Sequence, residues 1–572
     1  MKLYDWLRRD AVGRVVLVRG ALGVIVALGM LCLTVAPARA DSLNWVGSGL
    51  DDKWSTGANW NTGNPVANGD ALIYDDTVGI PVGAVNGVVD ASYSVASMRF
   101  DNTTGDPNRL YTLQIAPAIT LTSGALDVGR HDPWPDPGNA NYVTATFTGG
   151  GKMVVNGPLT VRTGGSATPK TPAKLDVTAL SEFTVNTTGN IHLGGTNNGR
   201  GELILSPVSL LRATNIFVPG AHSWATAGLT SGIYFGEHTT LNADNITVGG
   251  YGLDGKMLFQ TGLSGPQVVI RDQAGTGRAN LYIGDMHKAD RDVGGTVDFT
   301  GGSVDAEFNQ LHVGLIDIRD AVEDTTIAAA VGTLSISAGT IDATDVVLGR
   351  ALDGGAGTYP NDWADGTLNI SGGQFTAGTI TLAQDEALLH DRVRGTVDLS
   401  GGTLSAGTIQ KGAGGGETFF NWTGGTLHAD TFGLDLVNTG TGTLAPGASI
   451  GTSDLLASYT QGEDATLEIQ IDGTDFDFVH VTQGATLDGM LDVLFISPPP
   501  VGSTFDVLVA DQGITDLGMD FSYPGPVYMY YSIVSLGGTS EAVRLHYTPE
   551  PATMTLLGLP LAWLARRRRN RK

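Results

Sequence analysis

The sequence predicts an all-β protein: a parallel β-solenoid (β-helix), a β-rich C-terminal region and a short C-terminal membrane helix. Three observations support this fold class. Glycine accounts for 81 of the 572 residues, while charged residues make up only 16%. Apolar and small polar residues alternate along most of the chain, as they do in strands with one buried face. An internal repeat recurs in the middle of the chain, which is typical of stacked architectures.

Residues 1–40 have the pattern of a secretory signal peptide. Arginines precede the apolar run ALGVIVALGMLCLTVA, and the segment ends in APARA. Ala38 and Ala40 occupy the small-residue positions of a cleavage site, so we expect cleavage after Ala40. Cys32 is the only cysteine and lies in this segment. The mature, secreted chain is therefore expected to contain no disulfide.

The next segment, residues 41–80, is rich in tryptophan and is predicted to cap the solenoid. Trp45, Trp54 and Trp60 would cover the first rung, an edge that otherwise invites pairing with another chain. The alternative is that these tryptophans form a sugar-binding site.

Residues 81–450 are assigned to the solenoid repeats. The copies share roughly the pattern G-T-φ-x-φ-[ST]-G-G-x-φ, where φ is apolar, and begin at Gly295, Gly332, Gly366, Gly395 and, more weakly, Phe419. Apolar residues spaced by two predict short strands, and the glycine pair, as at Gly372 and Gly373, permits a sharp corner. Strand, corner and strand form one rung, and stacked rungs share a core that a single rung cannot provide.

The repeats differ in length because inserts follow the closing φ-G of the second strand. If these inserts occupy equivalent places, they leave the solenoid from one edge, where recognition residues are often carried. Trp134, Tyr359 and Trp363 are the candidate glycan contacts of this edge, since aromatic rings beside Asp and Arg are typical of sugar-binding surfaces. The alternative is that these loops are simply polar, with an occasional aromatic packed back on the coil.

Residues 451–548 are predicted to form the β-rich C-terminal region. Asp472, Asp475 and Asp477 are close enough in sequence to hold a calcium ion, or they belong to a polar turn. We favour the turn, because the spacing matches neither an EF-hand nor a nonapeptide array.

Two segments carry a resemblance to bacterial passenger-like β-solenoid proteins with autotransporter-associated repeats. One is the W…W…NW…P…GD pattern that begins at Trp45, and the other is LAPGASIGT from Leu444 with the YTQ strand at Tyr459. Nothing after Thr548 has the length of a membrane barrel, so the resemblance does not extend to a complete autotransporter.

The last segment, residues 549–572, closely resembles the PEP-CTERM sorting signal of Gram-negative bacteria. It consists of Pro549, Glu550 and Pro551, fourteen mostly apolar residues at 552–565, and a basic cluster formed by Arg566, Arg567, Arg568 and Arg569. Fourteen helical residues span about 21 Å, less than a bilayer core of about 30 Å. The resemblance implies transient inner-membrane anchoring as a transmembrane helix. It also implies an exosortase-type membrane enzyme as the processing partner, and a final location at the cell surface, in a biofilm or in an exopolysaccharide matrix.

Charge and motifs limit the function classes. Residues 41–549 hold 21 basic and 55 acidic side chains, a net charge of −34, which disfavours nucleic acid as a partner. No nucleotide loop, G-x-S-x-G elbow or H-E-x-x-H motif is present, and we predict no catalytic residue, metal or cofactor. His192 and His312 are expected at exposed strand positions. The predicted function is a non-enzymatic structural or adhesive role, with extracellular polysaccharide as a candidate partner; the alternative is a β-helix polysaccharide lyase or glycoside hydrolase.

Overall fold

The computed structural model of the protein describes most of the chain after residue 39. The described ranges are 40–75, 84–102, 109–129, 143–162, 172–194, 199–218, 230–250, 254–287, 292–317, 328–352, 362–386, 392–447, 449–523 and 528–548. Ala38, Trp134, Tyr359 and the whole sorting signal at 549–572 lie outside these ranges, so the predictions made for them remain predictions.

Strands occupy most of the described residues. In the N-terminal third they are β1 (Ser42–Asn44), β2 (Ala71–Tyr74), β3 (Ala84–Val89), β4 (Tyr93–Val95), β5 (Ser97–Phe100), β6 (Arg109–Ile115), β7 (Thr120–Ser123), β8 (Leu126–Gly129), β9 (Val143–Thr148), β10 (Lys152–Val155), β11 (Leu159–Arg162), β12 (Ala173–Asp176), β13 (Glu182–Asn186) and β14 (Asn190–Leu193). A single 3₁₀ turn, Gly57–Asn59, lies between β1 and β2.

The middle of the chain contains the longest strands. They are β15 (Gly201–Ile204), β16 (Val208–Val218), β17 (Thr230–Phe235), β18 (His238–Gly250), β19 (Asp254–Phe259), β20 (Gln267–Arg271), β21 (Ala279–Met286), β22 (Val293–Asp298), β23 (Ser303–Ile316), β24 (Ala329–Ile336), β25 (Gly339–Ala351), β26 (Trp363–Asp385), β27 (Val393–Lys411), β28 (Glu417–Trp422) and β29 (Thr426–Phe432).

The C-terminal strands are shorter until the last two. They are β30 (Leu436–Asn438), β31 (Thr443–Leu444), β32 (Thr452–Leu455), β33 (Tyr459–Gln461), β34 (Thr466–Asp472), β35 (Asp475–Phe476), β36 (Phe478–Val481), β37 (Ala485–Leu487), β38 (Met490–Ser497), β39 (Thr504–Ala510), β40 (Ile514–Asp516), β41 (Asp520–Ser522), β42 (Tyr528–Gly537) and β43 (Ser540–Thr548).

Almost all of these strands pair in parallel with strands of the preceding and following turn of the chain. The predicted repeat starts Gly295, Gly332, Gly366 and Gly395 are in register with one another, which confirms the alignment made from the sequence. The described chain is all-β with one large parallel sheet, an arrangement consistent with the predicted β-solenoid. Within the described ranges, no helix is long and apolar enough to cross a membrane; the predicted C-terminal membrane helix lies outside them.

Apolar columns form the core, because residues in register on successive rungs point to the same side. One column runs through Ile341, Phe375, Leu404, Leu427 and Leu444, all with almost no exposed surface. A rung contributes only a few apolar side chains, but each contacts the rungs above and below it. The core is therefore continuous along the stack.

A ladder of asparagine side chains stabilises one corner of the stack. Asn215, Asn245 and Asn280 each donate an amide hydrogen bond to the asparagine of the preceding rung, at 2.8, 2.9 and 3.0 Å between nitrogen and oxygen. The first acceptor is Asn190. Such a ladder satisfies half-buried amides where the backbone turns away from its strand pairing.

The three N-terminal tryptophans are buried in the first rungs. Trp45, Trp54 and Trp60 are at most 2% exposed, and the ring of Trp60 lies 5.1 Å from Trp45 and 6.0 Å from Trp54 between centroids. Tyr74 continues this aromatic cluster through a stacked contact with Phe100. Rings with so little exposed surface have no face to offer a sugar, so the alternative of a tryptophan sugar site is wrong.

Parallel stacking continues beyond residue 450 and ends in an antiparallel sheet. Leu444 is in register with Leu467, and Leu467 with Leu491. The last three-stranded unit is antiparallel, with β43 between β39 and β42. The division into domains drawn from the sequence remains a prediction.

Candidate functional site

The chain leaves the stack repeatedly at one edge, as expected for the inserts. The residues just before four successive gaps, Met286, Ile316, Ala351 and Asp385, are in register. Those just after them, Val293, Ala330, Ala364 and Val393, are in register as well. This insert edge, defined by the two rows, is the predicted place for recognition residues.

A small second core underlies the insert edge and holds it in place. It consists of buried apolar residues outside the main core: Met286, Val293, Ile316, Ala328, Ala330, Ala351, Ala364, Ala383 and Val393. Two carboxylates add hydrogen bonds between rungs, because Asp292 accepts from the Ala329 amide at 2.9 Å and Asp362 from the Ala328 amide at 2.8 Å. The insert edge is therefore built from packed backbone.

Of the three candidate glycan contacts, the described residues include only Trp363. It is the first residue of β26, is half-buried, and pairs with Ala329 of the neighbouring rung. Trp134 and Tyr359 lie outside the described residues. Their grouping as a glycan-binding set stays a prediction. Ala40, the predicted last residue of the signal peptide, is exposed just before β1.

His287 lies between two carboxylates at the insert edge. Its Nε2 is 3.0 Å from the Asp285 carboxylate, and its Nδ1 is 3.6 Å from the Asp317 carboxylate on the next rung. Burial disfavours the charged imidazole, but the hydrogen bond and charge of Asp285, together with Asp317, outweigh burial and raise the pKa of His287. The cluster joins two rungs.

His312 does not occupy the exposed position expected for it. Its side chain is 3% exposed, beside Arg350, whose Nη1 is 3.3 Å from the imidazole Nε2. Burial, and secondarily the charge of Arg350, lowers the pKa of His312 to about 4. His192 is half-buried and stacks on Phe217 of the next rung at 5.0 Å between ring centroids. Sequence alternation placed both residues on the outer side of the sheet but did not show what covers them.

Asp101, directly after β5, has a strongly perturbed carboxyl. It is 1% exposed and lies 3.3 Å from Arg99. Burial raises its pKa to about 6; Arg99 and the Asn102 amide oppose this rise, while the carboxylates of Asp127 and Asp75 add to it. A carboxyl with such a pKa can exchange a proton near neutral pH. It was not singled out from the sequence, because nothing in the sequence distinguishes it from many other aspartates.

The three aspartates considered for calcium form a turn. Asp472 and Asp475 face each other across a tight hairpin, and Asp472 accepts a hydrogen bond from Ser497. Asp477 is buried and accepts the backbone amides of Gly451 at 2.8 Å and Gln470 at 2.7 Å. Among the described residues, no group of three acidic, histidine or cysteine side chains is arranged to hold a metal ion.

Ion pairs between different strands occur along much of the described chain. The shortest pairs, at 2.6 to 2.9 Å between nitrogen and oxygen, are Lys152 with Glu182, Arg271 with Asp305, Arg278 with Asp342, Arg350 with Glu386, Arg394 with Glu417, and Arg544 with Asp506. They are distributed over much of the length of the chain. These pairs link strands that lie one or two positions apart in the sheet.

A polar groove of about 490 Å³ lies near the C-terminal end of the stack. Thr460, Thr486 and Thr515 line it and are in register on successive rungs. Gln512 and Glu541 complete one wall, and the Glu541 carboxylate accepts the Ile514 amide at 2.8 Å. Hydroxyl and amide groups dominate the lining. The sequence did not reveal this groove, since the threonines are 26 and 29 residues apart and become neighbours only through stacking.

No protein-family model matches this chain, and no curated protein matches it either.

Proposed function

We propose that this protein is an exported, non-enzymatic component of the cell surface or exopolysaccharide matrix of a Gram-negative bacterium, with a structural or adhesive role. The observation that carries the proposal is the dispersal of paired charges along a repetitive parallel scaffold. Catalysis requires groups that converge on one reacting centre, whereas a scaffold requires each rung to be joined to the next. The described ion pairs have the second arrangement.

Two surfaces support an adhesive role. At the insert edge, sequence segments of different length connect strands that remain in register, and such connecting segments commonly carry recognition. The C-terminal groove offers threonine hydroxyls at intervals of one rung, roughly 4.8 Å, which suits a polymer rich in hydroxyl groups such as an extracellular polysaccharide. Trp363, with Trp134 and Tyr359, remains the proposed glycan-contact set of the insert edge.

The sorting part of the proposal depends on the two ends of the sequence. Cleavage after Ala40 would release the mature N-terminus, and the apolar segment at 552–565 would hold the chain in the inner membrane as an intermediate. An exosortase would then recognise Pro549, Glu550 and Pro551 and remove the tail. The support is the order of motif, apolar span and arginine cluster in the sequence.

Intact mass and the C-terminal peptide, measured separately for membrane and extracellular fractions of the native host, test this proposal. We expect the extracellular form to begin at Asp41 and to lack everything after the Pro549 region. Recovery of Arg566 to Lys572 on the extracellular protein would contradict processing. Retention of the tail in the membrane fraction alone, with no released form, would indicate a permanent anchor.

Asp101 is the one observation that favours the alternative, a polysaccharide lyase or glycoside hydrolase. Its raised pKa and the neighbouring Asp127 are features of acid–base pairs. If this alternative holds, the protein should release new reducing ends from the host exopolysaccharide, and Asp101→Asn should abolish the release. Unchanged polysaccharide chain length after prolonged incubation would exclude this alternative for that substrate.

A further inference from the structure

Within the described ranges, strand β42 forms backbone pairs along only one of its two edges. It pairs along its length with β43, in a register that sets Tyr530 opposite His546 and Ser532 opposite Arg544. Within the described ranges it pairs with no other strand. Its second edge therefore presents backbone N–H and C=O groups that another strand can use.

The segment that contains β42 is uncharged, in contrast to the rest of the molecule. Residues 521–540 contain no Asp, Glu, Lys, Arg or His, although the whole chain carries a net charge of −25. Edge strands are usually protected by charges, prolines or bulges within the strand. In β42 the only irregularity is at its end, between Ser535 and Gly537. Most of the strand has no such protection.

One side of β42 also exposes large apolar side chains. Tyr528, Tyr530 and Leu536 are 46%, 39% and 46% exposed, and they alternate along the strand with residues that face the core, such as Met529. Ser532 and Val534 complete this row. The exposed row and the free edge coincide on the same ten residues.

We propose that β42 pairs antiparallel with β42 of a second copy of this chain, about a twofold axis at Ser532. In this register Tyr528 lies opposite Leu536 of the second copy, and Tyr530 opposite Val534 of the second copy. Aromatic–aliphatic pairs of this kind stabilise antiparallel strands. A register centred on Ile533 would leave Tyr528 without an opposite residue in β42. A shift of the pairing by one residue would place the exposed row of one copy opposite the core-facing residues of the other.

Charge distribution selects a second copy as the occupant. Two strongly acidic molecules repel each other over most of their surfaces, and an uncharged segment is where two copies can approach with the least repulsion. A twofold contact is self-complementary, so it closes after two copies and does not grow into a fibre. The proposed dimer is independent of the sorting and adhesive functions proposed above.

A cysteine substitution at the axis tests the geometry. Cys32→Ser removes the only natural cysteine, and Ser532→Cys is added to this full chain, which is purified in mild detergent. The new cysteine can then form a disulfide only with Cys at the same position of a second molecule. Directly opposed residues have Cα atoms about 4.5 to 5.5 Å apart, within the range that a disulfide spans. We expect mild oxidation to give a covalent dimer. Thr504→Cys, on β39 of the same sheet but away from the edge, is the matched control and should give no covalent dimer.

Sedimentation velocity provides a second measurement that needs no crosslink. The unmodified chain should sediment as a dimer at micromolar concentration, and Tyr528→Lys with Leu536→Lys should sediment as a monomer, because it sets like charges opposite each other across the proposed contact. Circular dichroism should be unchanged in this variant. The proposal is overturned if the unmodified chain is monomeric at these concentrations, or if Ser532→Cys crosslinks no faster than Thr504→Cys.

Discussion

Asp101 shows how much a single side chain depends on the rungs around it. Its own rung supplies Arg99, and the neighbouring rungs supply Asp75 and Asp127. Asp75 and Asp127 are 26 residues away on either side, so neither is apparent from the local sequence. The pKa of Asp101 is therefore a property of the stack.

Mild acid should stabilise the region around Asp101. Because the folded-state pKa is raised from 3.8 to about 6, the contribution of Asp101 to stability is complete below the unfolded pKa and is lost as pH rises through about 6. We expect amides around Asp101 to be better protected from hydrogen exchange at about pH 5 than at about pH 7.5, after correction for the intrinsic exchange rate. Asp127→Asn removes a neighbouring charge and should shift this change to lower pH. If Asp101→Asn shows the same pH dependence of hydrogen-exchange protection, groups other than Asp101 cause that dependence.

Among the elements, a row of closing glycines bends the strands one or two residues before each strand ends. Gly249, Gly284, Gly314 and Gly349 are the closing glycines of successive rungs and all have positive φ, between 68° and 75°. They occupy equivalent positions, directly after residues that are in register. The next corner in the row is Ala383, with φ 57°, and it is the only described non-glycine residue with positive φ. The closing φ-G of the repeat thus marks a backbone bend with positive φ, a conformation that glycine adopts at the least cost.

Replacement of a closing glycine should destabilise its corner in two ways. In Gly284→Ala the new Cβ would lie 2.4 Å from the carbonyl oxygen of Val331, and the alanine would have to adopt φ +68°. We therefore expect the free energy of unfolding to fall by about 2 kcal/mol or more. Gly262→Ala has a positive φ but open space around it, and should cost about 1 kcal/mol. Gly415→Ala, with neither feature, should be neutral. Urea unfolding measures the free energy of unfolding of the three variants. Equal losses would contradict the expected cost of the Cβ contact in Gly284→Ala.

In the molecule as a whole, the stacked strands keep a fixed register, whereas the segments that connect them differ in length. The chain between consecutive strands at the insert edge ranges from three residues at 251–253 to thirteen at 130–142. The strands on both sides nevertheless remain in register. The parallel sheet depends on register within the strands and tolerates different lengths between them.

An inserted peptide should therefore be tolerated at one place and not at another. Eight Gly and Ser residues added within 251–253 should leave the thermal midpoint within a few degrees, because lengthening the connection between two strands costs little entropy. The same peptide inserted between Gly372 and Gly373 interrupts the glycine-pair corner within β26 and should clearly lower the thermal midpoint. Thermal unfolding monitored by circular dichroism compares the two insertion variants. Equal losses would mean that the insert edge is as constrained as the corner.

Periodicity in the sequence was sufficient to predict the all-β class, the repeat alignment and the common edge of the inserts, because each depends on local alternation and on glycine at the corners. The tight polar turn expected here is found between Asp472 and Asp475, whereas the burial of Asp477 was not expected. Periodicity could not predict the burial of His312, the pKa of Asp101, the threonine-lined groove or the free edge of β42. These features join residues that are distant in sequence, and only the register between rungs decides which of them become neighbours.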